Sequence, residues 1–339
     1  MARRRRLIPI LLLLLIAAAG VALWAVAGDR YAGFNQPVLL EIPRRTSTRD
    51  IAALLAEKGV VRSEWQFLAA RALRPSAVLQ AGEYRFAAPD TPYHVATRLA
   101  AGDVHYYQVT VPEGANIFEI AATLDTLGLD LNSRRFLEAV RRPALVKELI
   151  GDLSPQAASL EGYLFPSTYR LTRATSAEQM VRQMTSKFRA EWKSLGAPKP
   201  VHQTVTLASL VEKESAVPRE RPLVASVYRN RLDAGMKLDC DPTTIYAALL
   251  EGRWRGTIYR SDLDSPHPYN TYRNPGLPPG PIANPGAESL RAALKPAQTS
   301  YLFFVAKPDG SGQHTFTSDL NAHNQAVAQY RSGNHARQP

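Results

Sequence analysis

Residues 207–220 read LASLVEKESAVPRE and set two carboxylates, Glu212 and Glu214, on either side of Lys213. At about 100° per residue, Leu207, Leu210, Val211 and Glu214 share one helical sector roughly 100° wide. Glu214 would then project from the face carrying the large apolar side chains. Glu212 lies roughly 160° away, near Val205 and Ala208, and Lys213 points to a third side. A carboxyl on an apolar face loses hydration, which penalises its charged form and raises its pKa. An acid that must hold its proton near neutral pH needs that environment. The competing assignment is a helix end at which Glu214 bends out to pair with Arg219 or Arg221, and phase alone does not separate the two. Ser215 could hydrogen-bond near the carboxyl. Further on, PYNTY supplies Tyr269, Asn270, Thr271 and Tyr272, aromatic platforms and polar groups of the kind a sugar-binding cleft uses. Its flanking prolines reduce the entropy lost on binding. The two tyrosines would equally serve as core anchors of a long loop.

Other chemistries are not indicated. His267, His314 and His323 are scattered, with no pair at H-x-x-x-H spacing, so no metal site is expected. Neither a G-x-S-x-G elbow nor a glycine-rich phosphate loop occurs, and no cofactor is expected. Cys240 is the single cysteine, which excludes an internal disulfide. The net charge of +11 includes four arginines at Arg3–Arg6. It would suit nucleic acid, an anionic membrane or acidic wall polymers. No recognition-helix, zinc or RNA-binding signature accompanies it, so a nucleic-acid partner is not expected.

The elements that must position these residues begin with an uncharged apolar run of 22 residues, 7–28, after a basic tail at 1–6. Its length suffices to span a bilayer. The positive-inside rule puts the N-terminus in the cytoplasm and the rest outside, as a single-pass protein of the cytoplasmic membrane. Ala25-Val26-Ala27 also resembles a signal-peptidase site, and the length of the run favours a retained anchor. An internal repeat follows at a constant offset of 69. Pro43, Ile51, Ala52, Ala53, Leu55, Gly59, Phe67, Leu68 and Ala70 match Pro112, Ile120, Ala121, Ala122, Leu124, Gly128, Phe136, Leu137 and Ala139. Each copy predicts a strand, two short helices broken at the glycine, and a closing strand. The copies are assigned to 36–104 and 105–154, the second closing near 160–171. Such units resemble LysM-like modules, which bind wall glycan, although spacers or docking surfaces would fit the pattern as well.

From residue 155 to 335 a mixed α+β domain is expected, and the class of the whole chain is α+β. It would hold an amphipathic helix near 176–194, the Glu214 helix, a helix ending at Gly235, and another opening at Asp241-Pro242. Residues 265–286 are too rich in proline and glycine for helix or central strand. A hairpin turning at Pro308-Asp309-Gly310 and a helix from Ser318 would close the chain.

The stretches LEGYLFPSTY, ASLVEKES, RNRLDAGMKLDCDPTTIYAAL, YNTYRNPGLPPGPIANPGAESLRAALKP and YLFFVAKPDGSGQHTFT, in that order, resemble the YceG-like (MltG) endolytic murein transglycosylases. The resemblance extends from the apolar run to about residue 330. It implies an anchored enzyme that cuts peptidoglycan glycan strands between MurNAc and GlcNAc without water, leaving 1,6-anhydro ends. Glu214-Ser215 fits the essential glutamate of that chemistry, as acid and then base. Glu161, Asp241, Thr243, Tyr269, Asn270, Thr271 and Tyr272 become expected cleft residues, with Glu212 as a supporting orienter. Peptidoglycan synthases are the implied partners. Two rivals remain open: a hydrolysing muramidase pairing Glu214 with Glu161 or Asp241, and a wall-binding scaffold without activity.

Overall fold

The computed structural model describes residues 2–196 and 200–335. The chain packs as two compact units, one running up to Tyr107 with Arg170–Ala174, the other holding Gln108–Tyr169 and the chain from Thr175.

The first unit opens with helix α1 (Ala2–Ala27). Its stretch Ile10–Ala27, of mean hydropathy 2.8, is long and apolar enough to cross a membrane. Only the last turn is covered: Ala25 and Val26 are buried, and Val26 joins the apolar core of this unit. The Gln66 amide donates to the Ala25 carbonyl at 3.1 Å and to Asp29 Oδ2 at 3.0 Å. Arg62 donates twice to Asp29, at 3.1 and 3.2 Å, which holds that carboxyl below its ordinary pKa.

Strand β1 (Val38–Ile42) follows, then α2 (Thr48–Glu57), α3 (Glu64–Ala72), β2 (Gly82–Phe86) and α4 (Pro92–Ala101). β1 and β2 pair antiparallel with Val38 opposite Phe86 and Ile42 opposite Gly82. Leu40 and Ile42 point inward while Leu39 and Glu41 face water, the period-2 pattern of a strand covered on one face. Gly59 separates α2 from α3 at φ +68°, and a Cβ there would stand 2.9 Å from the Gly33 backbone, so only glycine fits.

The chain continues as β3 (Tyr107–Val111), α5 (Ile117–Asp125), α6 (Ser133–Val140), α7 (Pro143–Ile150), β4 (Ser167–Leu171) and α8 (Ala177–Ser194). Then come α9 (Val201–Glu214), a 3-10 turn at Pro218–Glu220, α10 (Arg221–Asp233), α11 (Asp241–Leu250), α12 (Arg260–Leu263) and α13 (Ala287–Leu294). A hairpin of β5 (Phe303–Ala306) and β6 (His314–Thr317), with Phe303 opposite Thr317, leads to α14 (Leu320–His335). β3 pairs with β4.

The repeat is visible as burial. Ile51, Ala52, Leu55, Phe67 and Ala70 are buried, and so are their counterparts Ile120, Ala121, Leu124, Phe136 and Ala139. The second copy departs from expectation in two ways. An additional helix, α7, precedes its closing strand, and residues 108–169 pack within the second unit instead of forming a module of their own.

α9 sits against α10, α11 and α13. Val205 and Ala208 are as deeply buried as Leu207, Leu210 and Val211, so the helix has no solvent face over this stretch. The proline-rich segment is laced to it at three points. His202 Nε2 meets the Pro279 carbonyl at 2.8 Å, Ser209 Oγ accepts from the Ile282 amide at 3.1 Å, and Glu212 Oε2 accepts from the Gly286 amide at 2.9 Å. Residues 202, 209 and 212 fall within roughly 80° of helical arc. The seven-residue step from 202 to 209 rises about 10 Å along α9. A segment with few backbone donors is thereby tied along one side of the helix that ends in Glu214.

Candidate active site

Glu214 is the last residue of α9 and lines a cleft of about 650 Å³ with Tyr228, Asp241, Tyr272, Phe303 and His323. The Cys240 thiol donates to Glu214 Oε1 at 3.3 Å. Burial pushes the Glu214 pKa up, and neighbouring Asp241 pushes it the same way. The Cys240 thiol, the Tyr228 hydroxyl and His314 act in the opposite direction. Desolvation leads, so the protonated acid is the favoured form over a wider pH range than for a free glutamate.

What separates the two glutamates is partnership, not face. Since α9 is buried on every side over Val205–Val211, the phase argument does not distinguish them. Glu212 accepts from Arg221 Nη2 at 2.8 Å, and the two side chains are 5% and 9% exposed. It therefore binds α10 and the start of α13 to α9 as a charged, positioning group. The ion pair once conceivable between Arg221 and Glu214 is taken by Glu212, and Glu214 has no ion pair among the described residues. Ser215, expected beside the carboxyl, turns away: its hydroxyl donates to the Val217 carbonyl at 2.9 Å.

The remaining expected site residues divide into three groups. Asp241 and Tyr272 face the cleft, joined by a Tyr272 hydroxyl that donates to Asp241 Oδ1 at 2.7 Å. Thr243, Asn270 and Thr271 are buried and do not border it. Thr271 Oγ1 accepts from the Cys240 amide at 3.0 Å and meets Thr243 Oγ1 at 2.9 Å, so this pair holds the turn bearing Cys240 and Asp241. Asn270 donates to the carbonyls of Leu263 and Ser265, shaping its own loop. Tyr269 packs its ring against Tyr246, centroids 5.1 Å apart, and serves as an anchor.

Glu161 is likewise placed away from the cleft. It is 2% exposed and lies outside the cleft lining. Three donors converge on it: the Ile117 amide at 3.0 Å, the Tyr246 hydroxyl at 3.0 Å and the Asn284 amide at 2.8 Å. Asn284 also accepts from the Leu164 amide and donates to the Ala115 carbonyl, so Glu161 is the centre of a buried polar knot joining three loops. Burial raises its pKa to about 7 in spite of those donors.

Several cleft residues were not singled out from the sequence. Tyr228 and Arg231 stand three apart on α10, hence on one face. Arg231 donates to the carbonyls of Leu302, Lys237 and Leu238 and to Asp239 Oδ2 at 3.0 Å. That clamp keeps Asp239 at φ +48°, in the left-handed region, and so aims Cys240 and Asp241. α14 contributes His323, Asn324 and Arg331, and the hairpin contributes Phe303 and Phe304. His314 is largely enclosed and joined to Glu220 at 2.9 Å. Among the described residues no group of three or more metal-binding side chains is gathered.

Comparison with known proteins places these features in a family. The model of the YceG-like family matches residues 40–329. A protein of Bacillus subtilis described as an endolytic murein transglycosylase is 35% identical over 312 residues, covering 87% of this chain and 85% of that one. One of the same description from Streptococcus pneumoniae is 27% identical over 332 residues, covering 88% of this chain and 59% of its own length. The crystal structure of a yceG-like protein from Listeria monocytogenes superposes with a TM-score of 0.54 at 31% identity, covering 86% of this chain and 99% of that one.

Proposed function

The chain belongs to the YceG-like family, and from that membership and the cleft around Glu214 we propose that it is an endolytic peptidoglycan lytic transglycosylase. The bond it cuts is the β-1,4 link between MurNAc and GlcNAc within a glycan strand. One observation carries this reading: the cleft holds a carboxyl, Glu214, that is desolvated, free of ion pairs among the described residues and contacted by a neutral donor. Such a group holds its proton to higher pH than a free glutamate and can deliver it.

In the proposed reaction Glu214 protonates the glycosidic oxygen while the bond to C1 breaks. Positive charge builds on the sugar ring, and the Asp241 carboxylate on the same cleft wall favours it. Glu214, now ionised, takes the proton of the MurNAc C6 hydroxyl as that oxygen attacks C1. The product is a 1,6-anhydro end, the acid is restored, and no water is consumed. Neither metal nor cofactor enters the scheme. The cleft's mixture of aromatic walls with Asn324, His323 and Arg331 suits a polar, ring-shaped substrate.

The rest of the reading follows the helix and the repeat. α1 anchors the protein in the cytoplasmic membrane with Arg3–Arg6 inside and both units outside. The first unit binds wall glycan in a LysM-like manner, and peptidoglycan synthases are the neighbours. The deciding experiment digests purified sacculi with the wild type and with Glu214→Gln and weighs the products. Anhydro ends from the wild type and none from the variant are expected. Reducing ends would favour a hydrolase using Glu214 with Asp241, and inactivity of the wild type would favour a scaffold.

A further inference from the structure

The cleft contains a buried hydroxyl that packing does not explain. Tyr228 is 1% exposed, and its ring meets Phe304 edge-on at a centroid distance of 6.0 Å. A phenylalanine would fill that space equally well. The hydroxyl is nevertheless present, enclosed, and without a hydrogen-bond partner among the described residues. It lies close enough to Glu214 and Cys240 to interact with both. A buried hydroxyl left unsatisfied costs free energy, so its retention calls for a state in which it is satisfied.

We propose that Tyr228 and Cys240 form a two-donor seat for the negative charge that Glu214 acquires when it gives up its proton. This rests on the reading of Glu214 as the acid. In the resting protein only the thiol reaches hydrogen-bond geometry, at 3.3 Å to Oε1, while the Tyr228 hydroxyl is near enough to lower the Glu214 pKa alongside it. Once the proton has moved to the glycosidic oxygen, the carboxylate gains acceptor capacity, and the Tyr228 O–H can rotate to donate to it. When the C6 hydroxyl returns a proton, the seat empties. Tyr228 and Cys240 keep their own protons throughout. Burial pushes both of their pKa values up, so neither competes to carry the charge.

Neutral donors suit this task better than a cation. A cationic partner would ionise Glu214 before substrate arrives, whereas neutral donors strengthen chiefly as charge develops. Three of the charged groups nearby are otherwise engaged. On α10, Arg231 is bound to Asp239 and three carbonyls. At the start of α11, Asp241 accepts from Tyr272. On β6, His314 is paired with Glu220. From α14, His323 and Arg331 border the cleft, and His323 stacks on Phe303 at 5.0 Å.

The test uses purified full-length protein in detergent, comparing wild type, Tyr228→Phe, Cys240→Ala and Cys240→Ser. One measurement is steady-state cleavage of glycan strands against pH. A second is the Glu214 carboxyl band in difference infrared spectra without substrate, identified by its loss in Glu214→Gln. Tyr228→Phe should lower kcat about ten- to a hundred-fold, as loss of one hydrogen bond to a charge implies. KM should hold within about two-fold, because the hydroxyl is shielded from substrate. The alkaline limb and the infrared midpoint should both move to higher pH, since the carboxylate has lost a donor. Cys240→Ala should shift the midpoint the same way, and Cys240→Ser should restore it. A midpoint and limb unchanged in Tyr228→Phe overturn the seat. If that variant does not fold, the Ala and Ser pair at Cys240 decides in its place, an unmoved midpoint again counting against. Retained cleavage in Glu214→Gln would remove the acid itself, a result separate from the infrared shift.

Discussion

Two glutamates two residues apart end with opposite tasks because of one arginine. Arg221 commits to Glu212, and a cation that would otherwise ionise Glu214 is removed from its surroundings. Replacing Arg221 with Met leaves Glu212 charged and buried without its partner, so unfolding should become easier by about 3–5 kcal/mol. Denaturant unfolding of the purified protein measures it, and a change below about 1 kcal/mol would refute the assignment. Glu161 gives a prediction with a sign. Its folded pKa of about 7 lies above the ordinary 4.5. Below about pH 4.5 both states are protonated and its contribution is complete; between there and about pH 7 the unfolded chain ionises first, so stability falls as pH rises. Glu161→Gln should lack that decline, and the stability gap between wild type and variant should narrow from pH 4.5 to 7 in unfolding experiments. Sequence could not show the surroundings of Glu161, because its partner Asn284 is 123 positions away and a lone carboxyl before a glycine looks the same in a cleft or a core.

At the scale of elements, the Glu214 helix shows where periodicity stops being informative. A hydrophobic stripe identifies a face only when another face meets water. α9 meets α10, α11, α13 and the proline-rich segment, so its apolar residues mark length and not direction. The helix itself, the irregular 265–286 stretch and the hairpin were legible from local chemistry. The lacing between them was not, since it runs through backbone groups that carry no residue-specific signal. Gly162 is a sharp probe of that lacing. It sits at φ +84°, and a Cβ would fall 2.4 Å from Pro281 Cγ and 2.9 Å from Val205. Gly162→Ala should cost at least about 1–3 kcal/mol through backbone strain alone. It should also lower cleavage by displacing the segment from α9. Thermal unfolding alongside activity checks both, and an unperturbed Tm would show that the segment yields freely.

For the whole molecule, the repeat was legible because five buried positions recur in each copy, whereas the partition was not. Sequence similarity between the copies does not say which core each will join, and the second packs with the chain from Thr175 onward. The N-terminal helix raises the same issue in reverse, since a run expected to stand apart ends inside the first unit's core. Ala25 lies within the stretch that resembled a cleavage site, yet it is buried and its carbonyl is held by Gln66. Limited proteolysis should accordingly spare residues 25–36 in the wild type. A Gln66→Ala, Arg62→Ala double variant should be cut there readily, and equal rates would contradict the docking.

That docking bears on mechanics. Ten Gly/Ser residues between an anchor and its cargo would let the two wander about 16–19 Å apart. Here the last turn of α1 is already part of the first unit, and this slack does not exist. In a bilayer the helix would act as a post and not a leash. The first unit itself would then stand at one height above the membrane, set by a buried valine and an amide instead of by thermal searching.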